Sequence, residues 1–426
     1  MSVEQAYRLN DNMVYVVVVS GFNQPALEAC LTRKPGHVIL IVSNDGRFRE
    51  KAERLAHVLK EVFPTIIIHC IEGMNNKLDA NRVEHAQTWV YNELLPFLDS
   101  QYPDKEHWLY TSGGTKAIIM ALIDAHSWHR IEYKAEDRNQ LEAMTKSRQG
   151  KFASFETTPL ANARPQWVVQ LHNKEFQQTN NSKDTIHNPQ RAQALWDALD
   201  QSDSCLRYWF HILNKLWFTD ESYKNQKVIS INTDLLDQWK IERPDEQAEK
   251  WFMQIAEFEQ TDWKKIPNGT TWQIPGPSCS GKSKNLKRWL ESGWLEQLVL
   301  QWLRDDHFSP DQMVLNLATE KNREREADLL VNHEGQMKLI EIKADYQEKS
   351  DFKNIVRQIK SMGDRFGRTK NAVLIGPEFK RHLLSEKGHN DDFEKKCKAD
   401  DISILRSKEE LITFVRGRPK INAQKT

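Results

Sequence analysis

Residues 13 to 135 alternate short β-branched runs with amphipathic stretches, and that alternation leaves the chain few ways to fold. Val14 to Val19 is bounded by Ser20-Gly21. Val38 to Val42 ends at Ser43-Asn44-Asp45-Gly46, and Thr65 to Ile71 and His107 to Tyr110 are two further runs. Between them, Arg49 to Phe63 and Asn81 to Leu98 carry apolar residues at helical spacing. Strands separated by helices predict a mostly parallel sheet covered by helices on both faces.

Sheets of this kind take ligands at the carboxyl ends of their strands, where strand order reverses. Two loops suit that place. Ser20-Gly21-Phe22-Asn23-Gln24 follows the first strand, and Thr111-Ser112-Gly113-Gly114-Thr115-Lys116 follows the fourth. The next stretch, Ala117 to Leu122, reads as a helix whose free N–H groups would face an anion. Two glycines allow close backbone approach, while Thr115 and Lys116 add a hydroxyl and a charge. The plainer alternative is a tight strand-to-helix turn with a capping hydroxyl. The G-x-G-x-x-G fingerprint is absent, which speaks against an NAD enzyme.

A second constellation lies near the other end. Arg325 to Val331 and Lys338 to Lys343 read as two strands joined at Asn332-His333-Glu334-Gly335. Alternation puts Glu341 and Lys343 on one face and Ile340 and Ile342 on the other, with Asp328 able to reach the first face. Two carboxylates and a lysine at the end of an apolar hairpin call for a cation. Carboxylate oxygens and a backbone carbonyl, here that of Ile342, suit Mg²⁺ or Mn²⁺. Lys343 could orient or help deprotonate a bound water. The plainer alternative is an exposed hairpin with ordinary surface charges.

An acid, twelve residues, then Glu-x-Lys resembles the PD-(D/E)xK nuclease superfamily. That resemblance implies an acidic residue from an upstream helix, and Glu296 within Ser292 to Leu303 supplies it. No Pro precedes Asp328, a departure from the pattern. The resemblance also implies a polar helix residue beside the metal site, a place that Gln358 fits. The N-terminal region, with its Ser-Gly-Phe-Asn turn and later Thr-Ser-Gly-Gly-Thr-Lys turn, resembles a CARF domain. A CARF domain followed by this nuclease pattern is similar to the CARF nuclease effectors of type III CRISPR antiviral systems. The resemblance implies a homodimer that binds a cyclic oligoadenylate, cyclic tetra-adenylate foremost, across its two-fold axis. It makes Ser20, Gly21, Phe22, Asn23, Asn44, Asp45, Thr111, Ser112, Gly113, Gly114, Thr115 and Lys116 candidate ligand contacts.

Lys+Arg and Asp+Glu balance at 60 each, so nucleic-acid binding must come from local patches. Lys353, Arg357 and Lys360 form such a patch on the basic helix expected over Asp351 to Phe366, and could contact phosphates with Gln358 nearby. The five cysteines, Cys30, Cys70, Cys205, Cys279 and Cys397, form no C-x-x-C pair, which argues for a reducing compartment and against structural zinc. The first apolar run is too short to span a bilayer and no signal peptide is read, so a cytoplasmic protein without membrane association is expected.

Residues 173 to 190 are polar and read as a linker. Arg191 to Phe218 is expected to be helical, and Thr270 to Ile274 a short strand. The recurring tryptophans there read as core rather than as base-stacking platforms. Gly276 to Ser283 satisfies the P-loop expression, but the half-polar stretch before it does not read as a buried parallel strand, so an NTP site is rejected. The basic end Arg416-Gly417-Arg418-Pro419-Lys420 reads as a frayed tail.

The fold class is therefore α/β. A Rossmann-like CARF domain (1–170), a linker and small mostly helical or winged-helix-like connector (171–284), and a restriction-endonuclease-like α/β domain (285–426) are expected. The function expected is a metal-dependent endonuclease for DNA and/or RNA, gated by cyclic oligoadenylate. Glu296, Asp328, Glu341 and Lys343 are its catalytic set, and Glu296, Asp328, Glu341 and the Ile342 carbonyl its metal ligands. The alternative is a ligand-responsive nucleic-acid-binding regulator with an inactive nuclease fold.

Overall fold

The structure, a computed structural model, describes residues 8–43, 46–72, 81–135, 138–146, 152–172, 177–178, 189–200, 221–238, 264–265, 271–276, 278–280, 289–318, 326–344, 349–385 and 388–417. Asn44 and Asp45 lie outside the described residues.

The first seven strands form one sheet. They are β1 (Asn10–Val18), β2 (Pro35–Val42), β3 (Ile67–Glu72), β4 (Glu106–Tyr110), β5 (Arg130–Lys134), β6 (Gln140–Lys146) and β7 (Phe152–Pro159), in the order β3-β2-β1-β4-β5-β6-β7. The first five are parallel neighbours, and β6 and β7 pair antiparallel. Crossovers run through α1 (Gln24–Arg33), α2 (Gly46–Val62), α3 (Val83–Trp89), a π-turn at Val90–Leu94, α4 (Leu95–Gln101) and α5 (Lys116–Ala125). From Met13 onward β1 is apolar without interruption because it is covered twice. Tyr15, Val17 and Val19 enter the core under α1 and α2, while Val14, Val16 and Val18 enter the core under α3 to α5.

Strands β5 to β7 were not legible as strands, and for β5 its buried charge explains why. Glu132 is fully buried and satisfied by Tyr15 Oη (2.8 Å), Arg33 Nη2 (2.7 Å) and Arg130 Nε (2.7 Å). A strand that buries Arg and Glu together loses the apolar alternation by which strands are recognised.

Helix α6 (Pro165–His172) follows the sheet. Within the stretch read as a linker, β8 (Gln177–Gln178) instead pairs with the edge of the last sheet, and α7 (Pro189–Asp200) begins at its end; 173–176 and 179–188 lie outside the described residues. The middle region holds α8 (Thr233–Gln238) and an antiparallel sheet of β9 (Val228–Asn232), β10 (Lys264–Lys265) and β11 (Thr271–Pro275), of which only β11 was anticipated. After β11, Gly276 N–H donates to Lys227 O (2.8 Å) and Ser278 N–H to Gln226 O (3.0 Å), which extends the antiparallel pairing, and Cys279 N–H donates to Gly276 O (3.0 Å) in a return turn. An antiparallel strand ending in such a return is not the frame of a P-loop; Gly281 to Ser283 lie outside the described residues.

A π-turn at Trp289–Gly293 leads into α9 (Trp294–Asp305). The last sheet adds β12 (Met313–Ala318), β13 (Glu326–His333), β14 (Gln336–Lys343), β15 (Thr369–Ile375) and β16 (Ile402–Leu405), in the order β16-β15-β14-β13-β12-β8. Its helices are α10 (Lys349–Phe366), α11 (Pro377–Ser385), α12 (His389–Ala399) and α13 (Lys408–Arg416). Trp196, Trp289, Trp294 and Trp302 are buried against one face of this sheet, as core. Arg416 pairs with Asp306 (2.5 Å), so the described part of the basic tail is anchored. Among the described residues no helix is long and apolar enough to cross a membrane, and Cys30, Cys70, Cys279 and Cys397 are not joined in disulfides.

The core under α1 and α2 does not stop at the first sheet. It continues through Val168 and Val169 of α6 to Leu317, Leu330, Leu339 and the α10 residues Ile355 and Ile359. At that junction sits a buried polar knot. Asn332 Nδ2 donates to Glu28 Oε1 (3.1 Å) and to the Ala163 carbonyl (2.7 Å), while Gln24 Nε2 donates to Asn332 Oδ1 (3.2 Å) and the Gly335 carbonyl (2.9 Å). An unmade buried hydrogen bond costs about 1–3 kcal/mol. Asn332→Ala, which strips partners from Glu28, Ala163 and Gln24, is expected to lower stability by at least about that amount, read as a drop in thermal midpoint by calorimetry.

Candidate active site and ligand cavity

The hairpin of β13 and β14 turns on two residues, Glu334 (φ 51°) and Gly335 (φ 69°). Left-handed conformations at both positions match the right-handed twist of the flanking strands. The turn fixes the pairing Leu330↔Leu339 and Leu329↔Ile340, and one further step brings Asp328 beside Glu341. Asp328 Oδ2 accepts from the Ile342 N–H (2.7 Å). Glu341 is 1 % exposed, and its Oε1 accepts from Lys343 Nζ (2.6 Å) and Gln358 Nε2 (3.1 Å). Its Oε2 is buried without a hydrogen-bond partner.

Glu296 reaches the same neighbourhood from α9. Its two oxygens accept from Ser292 Oγ (3.2 Å) and Asn316 Nδ2 (3.2 Å). Burial pushes Glu296 above the usual carboxylate range, against the pull of Asn316 and Ser292, with the charges of Glu326 and Glu341 adding to the rise. Burial, then the charge of Glu341, pushes Asp328 well up. Burial alone would lower Lys343, but Glu341 and Asp328 outweigh it and hold its pKa raised. These groups feel each other's charge, as a shared site requires.

Among the described residues, however, no group of three or more His, Cys, Asp or Glu is gathered tightly enough to hold a metal ion. The expected ligands Glu296, Asp328 and Glu341 are neighbours, with Glu341 drawn onto Lys343 and Gln358 and Asp328 onto a backbone N–H. In kind they fit a hard divalent cation: oxygen donors, mutual repulsion, and one buried carboxylate oxygen with no partner.

Asn316 escaped the sequence reading. The β12–β13 ladder pairs Leu315↔Leu329 and Leu317↔Ala327, skipping Asn316 and Asp328 between them. Asn316 has φ 53°, a left-handed conformation inside a strand, which Asn tolerates better than most residues. That kink accompanies its contact with Glu296. A polar Asn inside the apolar run Met313–Ala318 was the available signal.

On the basic helix, Gln358 faces the sheet, whereas Lys353, Arg357 and Lys360 are exposed on another side. Lys360 pairs with Asp400 (2.6 Å), and Arg357 and Lys360 line a shallow cavity of about 330 Å³ with Asp364.

A larger cavity, about 1200 Å³, opens at the carboxyl ends of β1, β4 and β5, where strand order reverses. Ser20, Gly21 and Phe22 line it after β1, and Thr111 and Ser112 after β4. Tyr133, Lys134 and Ala135 from the end of β5 complete that side. The β1 loop is held by Asn23, buried, whose Oδ1 accepts from Ser20 N–H (2.9 Å), and by Lys51, which donates to the Gly21 carbonyl (2.8 Å). Asn23 thus shapes the wall without lining it. Gly113, Gly114, Thr115 and Lys116 do not line it either. A Cβ on Gly113 would fall 2.1 Å from the Val18 carbonyl oxygen, and one on Gly114 (φ +79°) 2.4 Å from Val18 Cγ1. Both glycines are required for packing against β1.

The opposite wall was not anticipated. It consists of His172 at the end of α6 and Gly367-Arg368 after α10. Phe22 stacks on His172 with ring centroids 5.8 Å apart.

The fold has solved counterparts. Protein VC1899 from Vibrio cholerae matches over 96% of this chain and 97% of its own, at 16% identity and a TM-score of 0.66. Can2 from Sulfobacillus thermosulfidooxidans, solved in complex with cyclic tetra-adenylate, matches over 95% of this chain and 99% of its own, at 16% identity and a TM-score of 0.59. At such identity the likeness establishes a shared α/β multi-domain fold along nearly the whole chain. No protein-family model matches the sequence, and no curated protein matches it.

His172 gives this region a pH signature. Burial, with the positive charges of Lys51 and Arg54, lowers its pKa from 6.5 to about 4. Between those values the unfolded chain takes up a proton that the folded chain refuses, so stability falls as pH drops through that window. His172→Gln is expected to flatten this part of the stability-versus-pH curve, measured by denaturant melts at several pH values.

Proposed function

We propose that this chain is a divalent-metal-dependent endonuclease that cleaves DNA and/or RNA and is switched on by a cyclic oligoadenylate, foremost cyclic tetra-adenylate. The observation that carries the reading is Glu341. It is buried with one oxygen unpartnered, bonded to Lys343 through the other, beside Asp328 at the end of a hairpin. Burying such a set is costly unless chemistry requires it. The nucleotide-sized cavity at the strand-order switch, on a fold shared with a protein solved with cyclic tetra-adenylate, supports the activator.

Glu296, Asp328, Glu341 and the Ile342 carbonyl would hold the cation. When bound, it would polarise the scissile phosphate and lower the pKa of a water nucleophile. Lys343, held charged by its carboxylate neighbours, would orient the attacking water and meet the negative charge that builds on the phosphate oxygens. Gln358 fixes the Glu341 carboxylate by its hydrogen bond, and Asn316 and Ser292 fix Glu296. The exposed Lys353, Arg357 and Lys360 would track the substrate backbone. The division into a sensor (1–170), a connector (171–284) and a nuclease unit (285–426) belongs to this proposal. So does a homodimer, since a cyclic ligand with repeated phosphates suits a two-fold pocket.

The Lys343–Glu341 ion pair favours a second reading, a ligand-responsive nucleic-acid-binding regulator whose nuclease fold is inactive. Incubation of the protein with Mn²⁺, plasmid and RNA, with and without cyclic tetra-adenylate, separates the two. Activator-dependent cleavage is expected; activator binding without cleavage would establish the regulator. Glu341→Gln and Asp328→Asn, like EDTA, are expected to lower cleavage by at least about a hundredfold, a size typical for losing a catalytic electrostatic contact. Activator affinity should stay unchanged by calorimetry.

A further inference from the structure

The cavity is bounded by two parts of the fold at once. One wall is the loop set of the first sheet. The other is the turn Gly367-Arg368, which joins α10 to β15 of the last sheet. Its position is tightly set. Gly367 has φ +96°, and a Cβ there would lie 2.5 Å from His172 Nε2. Arg368 is exposed, its guanidinium 5.4 Å from the centre of the Phe22 ring. Lys134, from the end of β5, lines the same cavity. Among the described lining residues there is no carboxylate, so the cavity presents two cations, an aromatic face and hydroxyls. That set suits a phosphorylated nucleoside, with charge for phosphate and a ring for base.

Helix α10 ties this wall to the candidate active site. Gln358 lies eight residues before Phe366, about 12 Å along a straight helix, and donates to Glu341 Oε1. Ile355, Ile359 and Met362 pack its inner face into the core, so displacement of one end is transmitted to the other.

We propose that Arg368 binds a phosphate of the ligand in this cavity, so that the ligand joins the first sheet directly to the helix that holds Glu341. The inference rests on the ligand reading above and adds a binding residue outside both Gly-containing loops. It makes the coupling between sites short: the ligand pulls on the turn of α10, and Gln358 moves with the helix against Glu341.

The test uses the full chain and cyclic tetra-adenylate as the probe. Wild type, Arg368→Ala and Arg368→Lys are titrated by calorimetry, with melting curves of the unliganded proteins as controls. Loss of one charge-assisted phosphate contact is expected to weaken Arg368→Ala about ten- to a hundredfold. Arg368→Lys should regain part of that loss, and the unliganded melting temperatures should agree within a few degrees because the side chain is exposed. At saturating ligand, Arg368→Ala should also cleave more slowly than wild type. Arg368→Ala binding as tightly as wild type overturns the inference and leaves the ligand reading standing. Wild type failing to bind the probe overturns the ligand reading and the inference with it.

Discussion

Asn332 and Glu28 meet where neither can reach water, and the relation between the two large sheets depends on that meeting. Glu28 belongs to the first crossover helix and Asn332 to the strand that carries Asp328. The carboxylate is fully buried, its pKa raised by burial and only partly restored by Lys134, Gln24 and Asn332. A polar group buried without partners is expensive, so the knot specifies one docking of the sheets where apolar contact alone would tolerate several. Lys134 Nζ lies 3.9 Å from the other Glu28 oxygen and also lines the cavity. Anything anionic in the cavity therefore competes with Glu28 for the same ammonium.

The parts of the fold legible in the sequence are those where burial is apolar. Strand β1, covered on both faces, announced itself as Met13 to Val19, and the β13–β14 hairpin by its alternation. Two of the parts that stayed hidden have a physical reason: one buries charge and one is very short. Strand β5 hides Arg130 and Glu132 in mutual neutralisation, and β8 is two glutamines long, visible only through its pairing with Leu317 and Ala318. The candidate active site was legible as a spacing, Asp328 to Glu341 to Lys343. One support, Gln358, was anticipated too; the supports of Glu296 were not, because the contacts of Asn316 and Ser292 depend on a left-handed strand residue and a helix start.

The cavity was half legible. A chain read in order reveals loops that follow strands, and so Ser20 to Phe22 and Thr111-Ser112 could be named. Half of the far wall, Gly367-Arg368, comes from the turn before β15, far along the chain from the sheet it faces. No local signal marks such a residue; only the docking of two sheets brings it to Phe22. The glycines Gly113 and Gly114 show the converse. They read as a ligand cradle, and in the fold their missing side chains also make room for Val18.

The two-residue turn at Glu334-Gly335 has a consequence for how this chain can vary. Side chains alternate faces along a strand, so adding or deleting a single residue at that tip would invert one strand relative to the other. Asp328 and Glu341 would then lie on opposite sides of the sheet, and Asn332 would leave Glu28. Insertions elsewhere on the surface change length alone, but here one codon would undo both the acidic pair and the docking of the sheets. Among related chains, gaps should therefore collect in the connections around the hairpin and spare its tip.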